Sequence, residues 1–99
     1  MKMIIAIVRP FTVEKLVVAF ENIENFPGVT MTDAAGFGKG PRSAEVDVLD
    51  PFRRSRKIEI VCQDTMVPTI VDAIKRNAHT GRKGDGFILV LPIEDSMMI

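Results

Sequence analysis

Val13-Glu14-Lys15-Leu16-Val17-Val18-Ala19-Phe20 decides the fold, because its pattern occurs twice in the chain. Val13, Leu16, Val17 and Phe20 fall at helical spacing and give the segment one apolar face. Val67, Ile70, Val71 and Ile74 repeat that spacing at a constant offset, and Ala19 matches Ala73. Each helix pattern follows an apolar strand pattern. Met3-Ile4-Ile5-Ala6-Ile7-Val8 precedes the first, and Lys57-Ile58-Glu59-Ile60-Val61-Cys62 the second. Pro10 ends the first run, and Thr12 stands where a side chain caps a helix. Asp64 or Thr65 stands in the same place before the second helix. Pro68 falls in its first turn, where a missing N–H does little harm.

A further strand completes each unit. Pro27-Gly28 breaks the chain after the first helix, and Val29 to Ala35 reads as a strand with Val29, Met31 and Asp33 on one face. Phe87-Ile88-Leu89-Val90-Leu91 follows the second helix. The order βαββαβ is a duplicated βαβ unit, which is the α+β, ferredoxin-like pattern. Right-handed crossovers then place both helices on one face of a four-stranded antiparallel sheet. Residues 1–99 read as a single domain with a long irregular loop at about 37–56. The helices cover one sheet face, yet the first and last strands are apolar on both. Ile5 and Ile7 oppose Ile4, Ala6 and Val8, and Phe87, Leu89 and Leu91 oppose Ile88 and Val90. A bare apolar face of several hundred Å² exceeds what a monomer usually exposes, so the pattern implies a homo-oligomer.

Composition removes several function classes. Thirteen basic and thirteen acidic side chains cancel, so no global charge points to nucleic acid or an anionic membrane. Cys62 is the one cysteine, which rules out an internal disulfide, a CxxC motif and a thiolate zinc site. No apolar run approaches membrane-spanning length, and the N-terminus lacks a signal-peptide pattern, so direct membrane insertion is not expected and a cytoplasmic location is. An RNA-recognition sheet stacks bases on aromatics, and the third strand carries none. No nucleophile–base pair stands out; Asp85 and Glu59 are the acid–base candidates.

Ala78-His79-Thr80-Gly81-Arg82-Lys83-Gly84-Asp85-Gly86 carries the chemistry. Glycines let backbone N–H groups approach an anion closely, and Arg82 and Lys83 add positive charge. The same residues also suit a helix C-cap at Gly81 and a tight turn into a strand, with His79 in the helix's last turn. A second glycine-rich segment, Gly36-Phe37-Gly38, opens the long loop. Arg53, Arg54, Arg56 and Lys57 at its far end form a basic cluster, either a solvated rim or a dock for an anionic ligand or partner. Residues from about Gly40 to Arg54, rich in Gly, Pro, Ser and charge, are expected to be disordered without a partner.

These segments resemble the PII signal-transduction family. The opening Met-Lys-Met-Ile-Ile-Ala-Ile-Val-Arg-Pro-Phe is similar to that family's first strand. Gly36-Phe37-Gly38 is similar to the motif that opens its T-loop, and Lys57-Ile58-Glu59-Ile60-Val61 to the strand that closes it. Thr80-Gly81-Arg82-Lys83-Gly84-Asp85-Gly86 is similar to its B-loop, and Val90-Leu91-Pro92-Ile93-Glu94 continues the match. The resemblance implies a homotrimer that binds adenine nucleotides between subunits. It also implies mobile T-loops that contact a protein partner, often a membrane transporter or a metabolic enzyme. It places Gly84, Asp85 and Gly86, with Thr80, Arg82, Lys83 and Phe87, at the nucleotide's phosphates. It implies that Gly36, Phe37, Gly38 and Lys39 line the cleft with Ile7 beneath them, that Gly28, Val29 and Thr30 of a neighbouring subunit hold the adenine, and that Glu59 lies near the ribose.

The chain departs from other members in ways that bear on ligands. It has no tyrosine, so their uridylylated residue is absent. A glutamine that orders Mg²⁺ and 2-oxoglutarate elsewhere is Gly40 here, a lysine near that ligand is Ser55, and the lysine after Gly-Asp-Gly is Phe87. The sequence ends at Ile99, before the basic segment that grips ATP phosphates in other members. The resemblance thus implies a divergent, short member that takes ADP or AMP at least as well as ATP, with the determinants for 2-oxoglutarate and Mg²⁺ incomplete. The alternative is a small ferredoxin-like enzyme, or a metal- or metabolite-binding protein without nucleotide binding.

Overall fold

Alternation along strand β1 (Lys2–Val8) divides the molecule into a covered and an open side. In the computed structural model, which describes residues 1–38 and 52–99, Ile4, Ala6 and Val8 are at most 3% exposed. Met3, Ile5 and Ile7 between them are only half-buried. The remaining elements are α1 (Val13–Glu21), β2 (Thr30–Gly36), β3 (Arg53–Cys62), α2 (Val67–Ala78) and β4 (Phe87–Pro92). The sheet order is β2-β3-β1-β4, with antiparallel pairing throughout. Two helices and this strand order make the ferredoxin-like fold expected from the duplicated pattern.

The core lies where the two helices meet one sheet face. Leu16 and Phe20 of α1 and Ile70 and Ile74 of α2 pack with Ile4, Ala6 and Val8, and with Ile58, Ile60 and Cys62 of β3. Phe20 stacks on Phe26 at a centroid distance of 4.8 Å, closing the chain back onto the core after α1. Truncating a fully buried side chain such as Leu16 to Ala costs ~2–5 kcal/mol in cores of this kind.

Both helices start the same way, and neither uses the cap expected from sequence. A 3-10 turn (Pro10–Thr12) leads into α1 and another (Asp64–Met66) into α2. The Thr12 N–H donates to Arg9 O, and the Met66 N–H to Gln63 O, each at 3.0 Å. The turn carbonyls of Pro10 and Asp64 then accept the N–H groups of Val13 and Val67, so the helix starts need no side-chain cap. Thr12 Oγ1 instead donates to Arg9 O at 2.8 Å. Asp64 instead accepts the Met1 amine at 2.8 Å. That hydrogen bond holds the Asp64 carboxyl below the ordinary carboxylate range. Burial, and then the charge of Asp64, push the Cys62 thiol up.

The strand after the long loop is longer than the sequence suggests. β3 begins at Arg53, not Lys57, and Gly36↔Arg53, Ala35↔Arg54 and Ala34↔Ser55 extend its pairing with β2. The loop expected at 37–56 therefore ends before Arg53, and Arg53 and Arg54 are ordered strand rather than part of a disordered stretch. β1 pairs with β3 only as far as Val8↔Arg56, so this end is a two-stranded ribbon. The expectation of disorder for the rest of the loop, from Gly40 onward, and the site expectation for Lys39 fall on residues 39–51, outside the described residues.

The open sheet face is apolar along β1 and β4, as the two-sided strands required, and polar at Glu59 and Lys57 of β3. Register places Leu91, Met3 and Val61 in one row, and Leu89, Ile5 and Glu59 in the next. Phe87, Ile7 and Lys57 form the third row. Phe87 is 55% exposed and Leu89 46%. Among the described residues, no helix is long and apolar enough to cross a membrane.

Candidate functional site

The loop between α2 and β4 is held in shape by one carboxylate. α2 stops at Ala78, with Lys75 and Arg76 in its last turn. His79 follows in extended backbone (φ −66°, ψ 128°), so it lies just past the helix and not within its last turn. Gly81 lies beyond this cap, so it does not end the helix as expected; it turns the loop at φ +78°. Thr80 Oγ1 donates to Asp85 Oδ2 at 2.6 Å and accepts the Arg82 N–H at 3.2 Å. The Asp85 N–H donates to Arg82 O at 3.4 Å. The other carboxylate oxygen, Asp85 Oδ1, accepts Arg53 Nη2 at 2.6 Å. Arg53 Nη1 also donates to Gly84 O at 3.4 Å.

Two loop positions require glycine for reasons of their own. Gly84 has φ +86°, a conformation that side chains rarely adopt. A Cβ on Gly86 would stand 2.6 Å from Ile7 O, because the loop returns to β1 there at the Ile7↔Phe87 pair. At Gly36 and Gly38 an added Cβ would meet nothing within 4 Å.

The expected site residues fall into three groups within one chain. Ile7, Thr80, Arg82, Asp85, Gly86 and Phe87 line a cavity of 560 Å³ beneath the loop, together with Lys75 and His79. Gly84 shapes this loop, and Lys83 is an exposed part of it. Gly28, Val29, Thr30 and Glu59 line a second cavity of 400 Å³ with Met3, Pro27 and Val61. That cavity lies on the open sheet face, since Thr30 pairs with Glu59 and both share a row with Ile5. Gly36, Phe37 and Gly38 end the β2–β3 ribbon, where Phe37 lies 6.1 Å from Phe52 between ring centroids. Neither cavity's lining includes a residue of the other.

The basic cluster is engaged within the chain. Arg53 holds Asp85, Arg56 Nε lies 2.9 Å from Asp33, and Lys57 Nζ lies 4.0 Å from Glu59. Arg9 Nη1 donates to Arg54 O at 2.5 Å, tying the end of β1 to the ribbon. Three side chains of the cluster, Arg53, Arg56 and Lys57, thus each lie against a carboxylate. Arg53 is the residue whose part in the loop could not be read from sequence. It is 32 positions from Asp85, and only the Gly36↔Arg53 register brings it there.

The comparisons agree with the fold. The family model described as Nitrogen regulatory protein P-II matches residues 1–99. A "Nitrogen regulatory protein P-II" of Azospirillum brasilense is 37% identical, covering 100% of this chain and 91% of the relative. One of Bradyrhizobium diazoefficiens is 40% identical with the same coverage. One of Rhodospirillum rubrum is 37% identical, again over 100% of this chain and 91% of its own length. A match along the whole length at this identity leaves one assignment: the chain belongs to the P-II family of nitrogen regulatory proteins.

Proposed function

We propose that the protein is a cytoplasmic signalling regulator that binds an adenine nucleotide between the subunits of a homotrimer. It passes that state to a protein partner, a membrane transporter or a metabolic enzyme, through the loop between β2 and β3. The observation that carries this reading is the loop 80–86. Its one carboxylate is ion-paired with Arg53 and accepts a hydrogen bond from Thr80, and its glycines, with Arg82 and Lys83, suit the loop to an anion. Two further features support it. The open sheet face supplies the apolar surface that association requires. The second cavity, at Gly28–Thr30 and Glu59, gives a neighbouring subunit an apolar wall for a purine and a carboxylate for ribose hydroxyls.

Calorimetry of the purified protein against AMP, ADP and ATP tests the reading. Binding without sustained turnover is expected. Absence of binding at millimolar nucleotide overturns it. Steady hydrolysis that disappears in Asp85→Asn overturns it in favour of an enzyme.

A further inference from the structure

We propose that Lys75 and His79, at the end of α2, take the outer phosphates of the nucleotide, so that residues outside the 80–86 loop set how affinity changes with the number of phosphates. The inference rests on the nucleotide reading above and extends its site. Lys75 and His79 stand four positions apart, and both line the 560 Å³ cavity beneath the loop with Thr80, Arg82, Gly86 and Phe87. Much of the remaining wall is apolar, with Ile74, Ala78, Ile88 and Val90 among it. For a ligand whose first phosphate meets the loop, the end of α2 is the next polar wall of the same cavity.

Two observations single these side chains out. Among the described residues, neither Lys75 nor His79 has a hydrogen bond or an ion pair within the chain. Other basic residues are engaged, since Arg53, Arg56 and Arg76 each lie against a carboxylate. Arg76, next to Lys75 in sequence, holds Asp72 and lines a separate groove with Ala19 and Ile23 of the α1 region. The second observation is the break in the helix. α2 stops at Ala78 and His79 follows in extended backbone, so the imidazole belongs to the chain entering the loop. An ammonium and an imidazole N–H both donate to phosphate oxygens. Both residues are exposed, so their polar ends are hydrated in the free chain and exchange water for phosphate oxygens on binding. Cations at a helix C-terminus also complement its dipole. That role alone changes stability and does not distinguish the nucleotides. Contact with the outer phosphates acts on ATP and ADP and spares AMP.

Calorimetry of the full chain with AMP, ADP and ATP, for wild type, Lys75→Met, Lys75→Arg, His79→Phe and Arg76→Met, tests this. Lys75→Met is expected to weaken ATP by about fivefold, ADP by less and AMP by no more than about twofold. His79→Phe follows the same order at smaller size and carries the test if Lys75→Met folds poorly, as read from its melting temperature. Lys75→Arg keeps the charge and most of the ATP affinity. Arg76→Met removes the same charge from the same turn of helix and should change all three affinities by no more than about twofold, which separates contact from long-range charge. An equal change for all three nucleotides in Lys75→Met and His79→Phe, or no change in either, overturns the inference while nucleotide binding stands. An ATP-selective loss in Arg76→Met as large as that in Lys75→Met overturns it as well. Wild-type protein that binds no nucleotide overturns the functional reading, and this inference with it.

Discussion

Arg53 Nη2 and Asp85 Oδ1 lie 2.6 Å apart and join the β2–β3 ribbon to the loop before β4 across 32 residues of sequence. Both side chains are largely buried, so removing Arg53 takes a charged partner from a poorly solvated carboxylate. Arg53→Ala should cost ~1–3 kcal/mol in chemical denaturation, the usual range when a poorly solvated polar group loses a hydrogen-bond partner. It should also raise hydrogen exchange in two places at once, near Arg53 and over 80–86. Faster exchange at only one of the two segments would show that the pair does not couple them.

The open sheet face makes the oligomer testable. Leu89 is 46% exposed on the edge strand β4, beside Ile5 on the open face. Leu89→Arg should leave the helix-covered core intact and abolish association, read by light scattering against an associated wild type. Unchanged mass in the variant, or a monomeric wild type at micromolar concentration, would remove this face as the interface.

The fold was legible because its core elements are covered on a defined side. The paired patterns bury Leu16 and Phe20 in one helix and Ile70 and Ile74 in the other, and β1, a continuous apolar run, buries every second residue against them. Residues 53–56 were not legible as strand. They are three arginines and a serine, so no hydrophobic alternation marks them. The caps misled for another reason. Thr12 and Asp64 have the right chemistry, but a 3-10 turn leads into each helix and their side chains bond elsewhere, Thr12 to Arg9 O and Asp64 to the Met1 amine. The loop 80–86 was visible as a glycine-rich turn into the last strand. Its partner Arg53 was visible only as one of several basic residues, because its role comes from strand register.

The Met1–Asp64 contact gives a pH dependence with a definite sign. The Asp64 carboxyl is held below its ordinary value, chiefly by the hydrogen bond from the Met1 amine. Its contribution is therefore present above the unfolded carboxyl value of about 4 and is lost as pH falls through the lower folded value. Wild type should be more stable than Asp64→Asn at neutral pH, and the difference should close in acid. The Met1 amine and the Asp64 carboxyl are both surface-exposed, so the effect should be small and weaken with salt. A carbon-detected NMR titration showing Asp64 at or above the ordinary carboxylate range would contradict the assignment.

Glycine positions separate demands of the fold from demands of a ligand. A Cβ at Gly86 would stand 2.6 Å from Ile7 O, against backbone that cannot swing aside. Gly86→Ala should therefore destabilise the protein by ~1–3 kcal/mol whatever it binds, and loss of nucleotide binding in that variant would say little about the site. Gly38 is the better probe. An alanine there meets nothing within 4 Å, so thermal stability should stay within ~0.5 kcal/mol of wild type. If a nucleotide phosphate packs against the end of β2, the added methyl group removes that approach, and affinity should fall by about tenfold, the equivalent of 1.4 kcal/mol. Gly36→Ala provides a second reading on the same strand. Full affinity in both variants, with melting temperatures unchanged, would remove the Gly36–Gly38 segment from the site and leave the loop 80–86 to hold the nucleotide without it.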